Sequence, residues 1–300
     1  MQIALACGFV LPYPFQAGAY SVAEFSVDNL VRAALEEDIG REDITTNATV
    51  PPQARCRARL VAKQAGVLSG IVPFRRAFEL LDAGVREWQS AKDGDRFAAG
   101  ETLATFHGLT RAVLTAERTA MNLIQHLSGV ATLTAQYVDM LQGLTCRVCD
   151  TRKTTPGLRY LEKEAVAHGG GANHRQTLFH GVLIKENHIT AAGGITEAIR
   201  KVRGIAPHIL RIEVEVGCME QMREALAAGA DIIMLDNMSL EEMAQAAREA
   251  HGLKVLLEAS GNVTLERLRA IAATGVDFIS VGALTHSAPA VDLSLLITNG

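Results

Sequence analysis

From Cys146 onward the chain keeps one rhythm. Short apolar runs at residues 146–149, 182–184, 209–216, 232–235, 255–257 and 278–281 alternate with stretches of helical periodicity at 193–202, 219–228, 240–250 and 265–273. Strand and helix repeating in this way lead to right-handed βαβ units and a parallel sheet. Their cores are apolar, so both faces of the sheet must be covered. A closed or nearly closed barrel meets that condition best. With six strands in view it falls short of the eight of a complete barrel.

The first third has no such regularity. Residues 27–37 are apolar at helical spacing behind a candidate N-cap, Ser26. Residues 43–47 read as a turn. Residues 55–61 alternate Arg55, Arg57 and Arg59 with Cys56, Ala58 and Leu60, the pattern of a half-buried strand. Gly66 and Gly70 end it. Residues 73–81 read as a helix, and 85–89 and 102–106 as strands around a turn at Asp93-Gly94. A long helical segment covers 110–142, with an interruption expected at Ser128-Gly129. It carries Glu117, Arg118 and Asn122, whose plain reading is a solvated helix surface with local ion pairs.

Composition excludes several classes of function. The net charge of −4 argues against a nucleic-acid binder. Five cysteines form no paired framework, which points to a reducing cytoplasm. Cys146 and Cys149 make a lone C-x-x-C; three apart on a strand they face opposite ways, so they read as core residues and not as zinc ligands. No run reaches the ~18 apolar residues of a membrane span. Residues 1–10 are apolar but lack the basic start of a secretory signal.

The residues that follow each apolar run are polar, charged or glycine: Asp150-Thr-Arg-Lys153, Lys185-Glu-Asn-His188, Glu213 with Glu215, Asp236-Asn237, Glu258-Ala-Ser-Gly-Asn262, and Gly282-Ala283. In a parallel barrel these share the face that carries active sites. Three sub-sites separate by chemistry. Arg152, Lys153, His174, Arg175 and Lys185, linked by a Gly169-Gly170-Gly171 hinge and joined by Arg118, form a basic group suited to a multiply anionic small ligand. Glu215 and Asp236 are hard oxygen donors that suit Mg²⁺ beside a phosphate; alternatively they pair with Lys153 or Lys185. Ser260, Gly261 and Asn262, with Gly282 and Ala283, lie where such barrels cradle phosphate. Together they suggest a phosphorylated sugar diphosphate meeting a small carboxylic acid. The sequence holds no G-x-S-x-G, Walker P-loop or G-x-G-x-x-G.

The longer motifs are specific. Glu117-Arg-Thr-Ala-Met-Asn122, Ser128-Gly-Val-Ala-Thr132, Asp150-Thr-Arg-Lys-Thr-Thr-Pro-Gly157, Gly169-Gly-Gly-Ala-Asn-His-Arg175, Leu183-Ile-Lys-Glu-Asn-His188, Val214-Glu-Val216, Met234-Leu-Asp-Asn237 and Ser280-Val-Gly-Ala-Leu-Thr285 resemble the quinolinate phosphoribosyltransferase family, in register from about residue 25 to the end. The resemblance implies a reaction of de novo NAD biosynthesis. Quinolinate and phosphoribosyl pyrophosphate would give nicotinate mononucleotide, CO₂ and pyrophosphate, with Mg²⁺. It also implies an N-terminal α/β sandwich over residues 25–128, joined by 286–300, and an incomplete barrel over 129–285. Residues 1–24 fall outside it, as an extension.

By the same resemblance Arg152, His174, Arg175 and Lys185 hold the quinolinate carboxylates, and Arg118 reaches into the site of a partner subunit in a homodimer. Lys153 contacts substrate phosphate. Glu215 and Asp236 lie near ribose and metal, and Ser260, Gly261, Gly282 and Ala283 form the 5′-phosphate loops. Two other readings stand beside this one: a barrel lyase using Lys185 covalently, and a non-catalytic or different-substrate relative, such as the molybdenum-transport-associated one.

Overall fold

The computed structural model describes residues 26–299; the expected extension over 1–24 lies outside them. Ser26 caps α1 (Val27–Ile39), its Oγ accepting from Asn29 N. Asp43 caps α2 (Ile44–Thr49), accepting from Thr46 N at 2.9 Å and, through its other oxygen, from Thr115 Oγ1. The expected turn at 43–47 is therefore a short helix. Aspartate starts turns and helices by the same side-chain bond, and here the tie to Thr115 favours the helix. There follow β1 (Arg55–Ala62), β2 (Gly66–Val67), α3 (Ile71–Glu79), β3 (Arg86–Ser90), β4 (Arg96–Phe97) and β5 (Thr102–Leu109). Along β1, Cys56, Ala58, Leu60 and Ala62 are buried while Arg57 and Arg59 face out, as the alternation requires.

The helix α4 (Thr110–Met140) runs 31 residues without a break. The interruption expected at Ser128-Gly129 is absent because these small residues serve packing. Ser128 Oγ donates to Ser69 O and accepts from Ser69 N, both at 3.1 Å. A Cβ on Gly129 would lie 2.2 Å from Pro289 O. Gly129→Ala thus pits a helix-propensity gain of about 1 kcal/mol against an overpacking cost of about 1–3 kcal/mol. Net destabilisation is expected, read as a lower urea midpoint; an equal or higher midpoint would remove the close approach from the account. The front half of α4 packs into the first core through Val113, Ala116, Ala120 and Ile124. Its second half packs into the barrel core through Leu127, Val130, Ala131 and Ala135.

The barrel unit runs β6 (Arg147–Cys149), α5 (Arg159–His168), β7 (Val182–Ile184), α6 (Glu186–Ala192), α7 (Ile195–Arg203), β8 (Ile212–Val216), α8 (Met219–Ala227), β9 (Ile232–Asp236), α9 (Leu240–Ala250), β10 (Leu256–Ser260), α10 (Leu265–Ala272), β11 (Phe278–Ser280) and α11 (Ala283–His286). All six strands are parallel, in the order β6-β11-β10-β9-β8-β7. The barrel is incomplete, since β6 and β7 do not pair with each other. Part of the seam is filled by the chain after α5, where Ala172 forms a parallel bridge to Cys149. The three glycines before it are not a hinge. A Cβ on Gly169 would lie 2.4 Å from Ala131 O, so α5 ends clamped against α4. The final strand, β12 (Leu293–Asn299), returns to the first unit and pairs antiparallel with β1, giving a sheet ordered β12-β1-β5-β3.

Candidate active site

At the carboxyl ends of the barrel strands lies a cavity of about 590 Å³. Arg152, Lys153, His174, Arg175, Lys185, Glu215, Asp236, Ser260, Gly261 and Asn262 all line it. Strand ends deliver most of them, because βα loops leave a parallel sheet on one side. His174 and Arg175 come instead from the segment filling the seam between β6 and β7.

That segment is held from below. Asp150, fully buried, accepts from His174 N at 2.8 Å and from Lys163 Nζ. Lys163, itself 1% exposed, also donates to His174 O at 2.9 Å. Burial raises the pKa of Asp150, and the Lys163 ammonium acts against that rise. Glu162, fully buried beside it, accepts from Thr155 N at 3.0 Å and bonds His126 Nε2 at 2.8 Å, fixing the loop after β6. Both Glu162 and Lys163 lie on α5, which sequence reading passed over. Charged residues at buried positions broke the apolar spacing that would have revealed the helix.

The site is electropositive toward the seam. The Nε atoms of Arg152 and Arg175 are buried without a hydrogen-bond partner among the described residues. Arg175 spends Nη1 on Gly181 O at 2.9 Å. Burial, and after it the charge of Arg152, lowers the pKa of Arg175. Two guanidiniums close enough to repel, each with an unused buried donor, suit an anion that would sit between them. His174 Nε2 lies 2.8 Å from Glu213 Oε2. Burial disfavours the imidazolium, but the hydrogen bond and charge of Glu213 outweigh it and raise the His174 pKa.

The opposite wall is acidic and polar. Glu215 Oε2 accepts from Lys185 Nζ at 2.6 Å, so one of the two pairings left open for the acidic residues is present. Among the described residues Asp236 has no lysine partner; its Oδ2 accepts from Asn237 Nδ2 at 2.9 Å. Asn237 and Asn262 both adopt left-handed backbone, φ 55° and 48°. Their side chains meet over Gly261, where a Cβ would fall 2.2 Å from Asn237 Oδ1. Only glycine fits there, and the turn exposes its backbone to the cavity.

Gly282 and Ala283 do not line the cavity. The loop buttresses Lys153 instead: a Cβ on Gly282 would touch Lys153 Cδ at 3.0 Å, and Thr285 Oγ1 donates to Lys153 O at 2.8 Å. Arg118 stands exposed on α4, in a different cavity with Asp38, Glu42 and Asp43. The fold does not bring it to the basic group of its own chain. Glu258 and Ser280, by contrast, line the main cavity without having been singled out as site residues. The signal for them was the period of two along a strand, which puts Glu258 on the same face as Ser260.

Comparison with known proteins agrees with this geometry. The profile of the quinolinate phosphoribosyl transferase N-terminal domain matches residues 43–128, and that of the C-terminal domain matches 130–296. The chain belongs to the quinolinate phosphoribosyltransferase family. A relative in Bacillus subtilis, named as a probable nicotinate-nucleotide pyrophosphorylase [carboxylating], is 47% identical over 262 residues, 87% of this chain and 90% of its own. A Mycobacterium leprae nicotinate-nucleotide pyrophosphorylase [carboxylating] is 42% identical, over 88% of this chain and 95% of its own. The crystal structure of NadC from Streptococcus pyogenes superposes with a TM-score of 0.88 at 43% identity, covering 94% of this chain and 100% of that one. In this member of the quinolinate phosphoribosyltransferase family, then, the overall fold is shared with the solved NadC structure.

Proposed function

We propose that the chain transfers the phosphoribosyl group of phosphoribosyl pyrophosphate to the ring nitrogen of quinolinate. The carboxylate at C2 is then lost, giving nicotinate mononucleotide, CO₂ and pyrophosphate. The observation that carries this reading is the pair of buried, unpartnered guanidinium donors on Arg152 and Arg175, next to an imidazole whose protonated form is favoured. A dicarboxylate supplies the acceptors that such a group lacks.

Arg152, Arg175, His174 and Lys185 bind the two carboxylates and so orient the ring nitrogen toward the ribose. Ser260, Gly261 and Asn262 bind the 5′-phosphate, and the loop of Gly282 and Ala283 packs behind Lys153 through Gly282. Lys153 contacts the pyrophosphate. Glu215 and Asp236 face ribose C1 and stabilise the positive charge that develops there as pyrophosphate leaves. The same two carboxylates are partly exposed oxygen donors at a phosphate site and fit Mg²⁺, which takes one or two carboxylates together with substrate phosphate. Bound there, the ion would neutralise charge on the leaving group. Holding two anionic substrates in line against their repulsion is worth ~7–11 kcal/mol in favourable cases. Lys185 acts as a charge, its Nζ engaged by Glu215, and no covalent adduct is needed.

Arg118, exposed and remote from its own cavity, is the residue for a partner subunit's site in a homodimer. A reducing cytoplasm suits the four free cysteines among the described residues. No described helix is long and apolar enough to cross a membrane.

The test gives the protein phosphoribosyl pyrophosphate and Mg²⁺ with either quinolinate or nicotinate and follows nicotinate mononucleotide. Product is expected from quinolinate alone. Product from nicotinate would overturn the role of the basic group, and product from neither would favour a non-catalytic or different-substrate relative.

A further inference from the structure

The floor of the cavity holds a tier of ionisable groups that no step above uses. Glu213 lies two residues inward of Glu215 on β8, and Glu258 two inward of Ser260 on β10, each on the same strand face. Both are 4% exposed. With His174 they form a cluster in which one polar atom of each lies within 4.8 Å of the others. Glu258 lines the active-site cavity and also a hollow of about 400 Å³ beneath it.

Two carboxylates this close, in so dry a place, are not both ionised at low cost. Glu213 is committed to His174 as its ion-pair partner. Glu258 is therefore the one that keeps a proton. Burial, and after it the charge of Glu213, pushes its pKa up to about 7; Asp150, just after β6, adds to the rise, while His174 and Ser280 oppose it. Its Oε1 is buried with no hydrogen-bond partner among the described residues. The other acids near the ring are differently placed. His174 Nε2 is bound to Glu213 and Lys185 Nζ to Glu215.

We propose that Glu258 is the acid that delivers a proton to C2 of the pyridine ring as the carboxylate leaves. This rests on the decarboxylating reaction proposed above. The bond between C2 and its carboxylate breaks, CO₂ departs, and the electron pair stays on C2 beside the positive ring nitrogen. That pair takes the proton from the Glu258 carboxyl, forming C2–H and leaving a carboxylate. Solvent returns the proton before the next turnover. One proton is consumed and no oxidant or reductant is involved.

The experiment is a single turnover of Glu258→Gln with enzyme in excess, following pyrophosphate and nicotinate mononucleotide separately. General-acid loss slows a step by roughly 10²–10⁴-fold, so nicotinate mononucleotide should form at least ~100-fold more slowly, whereas pyrophosphate slows by less than about tenfold. A nucleotide still bearing both carboxylates should accumulate between the two. Glu258→Asp, which keeps an acid one methylene further back, should recover part of the lost rate. It also decides the matter if the glutamine variant does not fold, by slowing the second product alone. Equal slowing of both products, or of neither, would overturn the assignment. Wild-type protein that releases no pyrophosphate with quinolinate would instead remove the reaction itself, and this proposal with it.

Discussion

Arg152→Ala should weaken quinolinate binding by roughly 100-fold or more. Two charge-assisted hydrogen bonds at about 1.5–3 kcal/mol each are removed, and 1.4 kcal/mol is a factor of ten. The fold should survive, because the Arg152 side chain is only part-buried and its Nε has no partner within the described protein. One effect works the other way. Arg175 is freed from a neighbouring positive charge that lowers its pKa, so the free protein is slightly relieved. Calorimetric titration with quinolinate reads the loss directly; an affinity unchanged within threefold, on the order of 0.6 kcal/mol, would remove the acid site from this end of the cavity. The same variant tests the shared site. Mixed with Arg118→Ala, it should regain activity that neither protein has alone, because a mixed dimer holds one site with both arginines. A mixture as inactive as its parts would leave Arg118 as surface.

Asp150→Ala carries the largest expected effect on stability, about 3–5 kcal/mol, because it leaves a buried ammonium without its counter-charge. Lys163 is 1% exposed and, among the described residues, has only His174 O as its other acceptor. Urea unfolding should show a sharply lower midpoint, and Asp150→Asn, which keeps an acceptor for His174 N, should lose less. A loss below about 1 kcal/mol would mean that the Lys163 ammonium escapes to water. Activity should fall with stability in the alanine variant, since Asp150 is also what fixes the His174 backbone.

The barrel was readable because its strands are buried on both faces, so six mainly apolar runs mark six strands with small errors at their ends. The residues just beyond those runs were readable for the same reason, and Arg152, Lys153, Lys185, Asp236, Ser260, Gly261 and Asn262 among them meet in one cavity. What escaped has physical causes. Helix α5 places Glu162 and Lys163 inside, where their partners on other elements supply what local pattern cannot announce. Helix α6 fully buries none of its residues, with only Ile189 and Ala192 partly covered, so it has no apolar stripe to detect. Ser128-Gly129 and the triple glycine look like flexible points in sequence, yet they are where chain segments press together. Glu258 was placed on the active-site face by its position after the apolar run 255–257, but given no role there, because its meeting with Glu213 and His174 depends on residues far apart in the chain.

Strand β12 pairs with β1 although the whole barrel lies between them in the chain. During synthesis the first sheet must wait for it. At about 5–20 residues per second, the stretch from β5 to β12 takes on the order of 10–40 seconds to make. Throughout that interval β1 offers an open edge of backbone donors and acceptors to any neighbouring nascent chain. Arg57 and Arg59, exposed along that strand, put like charges on each copy of the edge. They make two unfinished chains poor partners for each other, and so guard the sheet until its own last strand arrives.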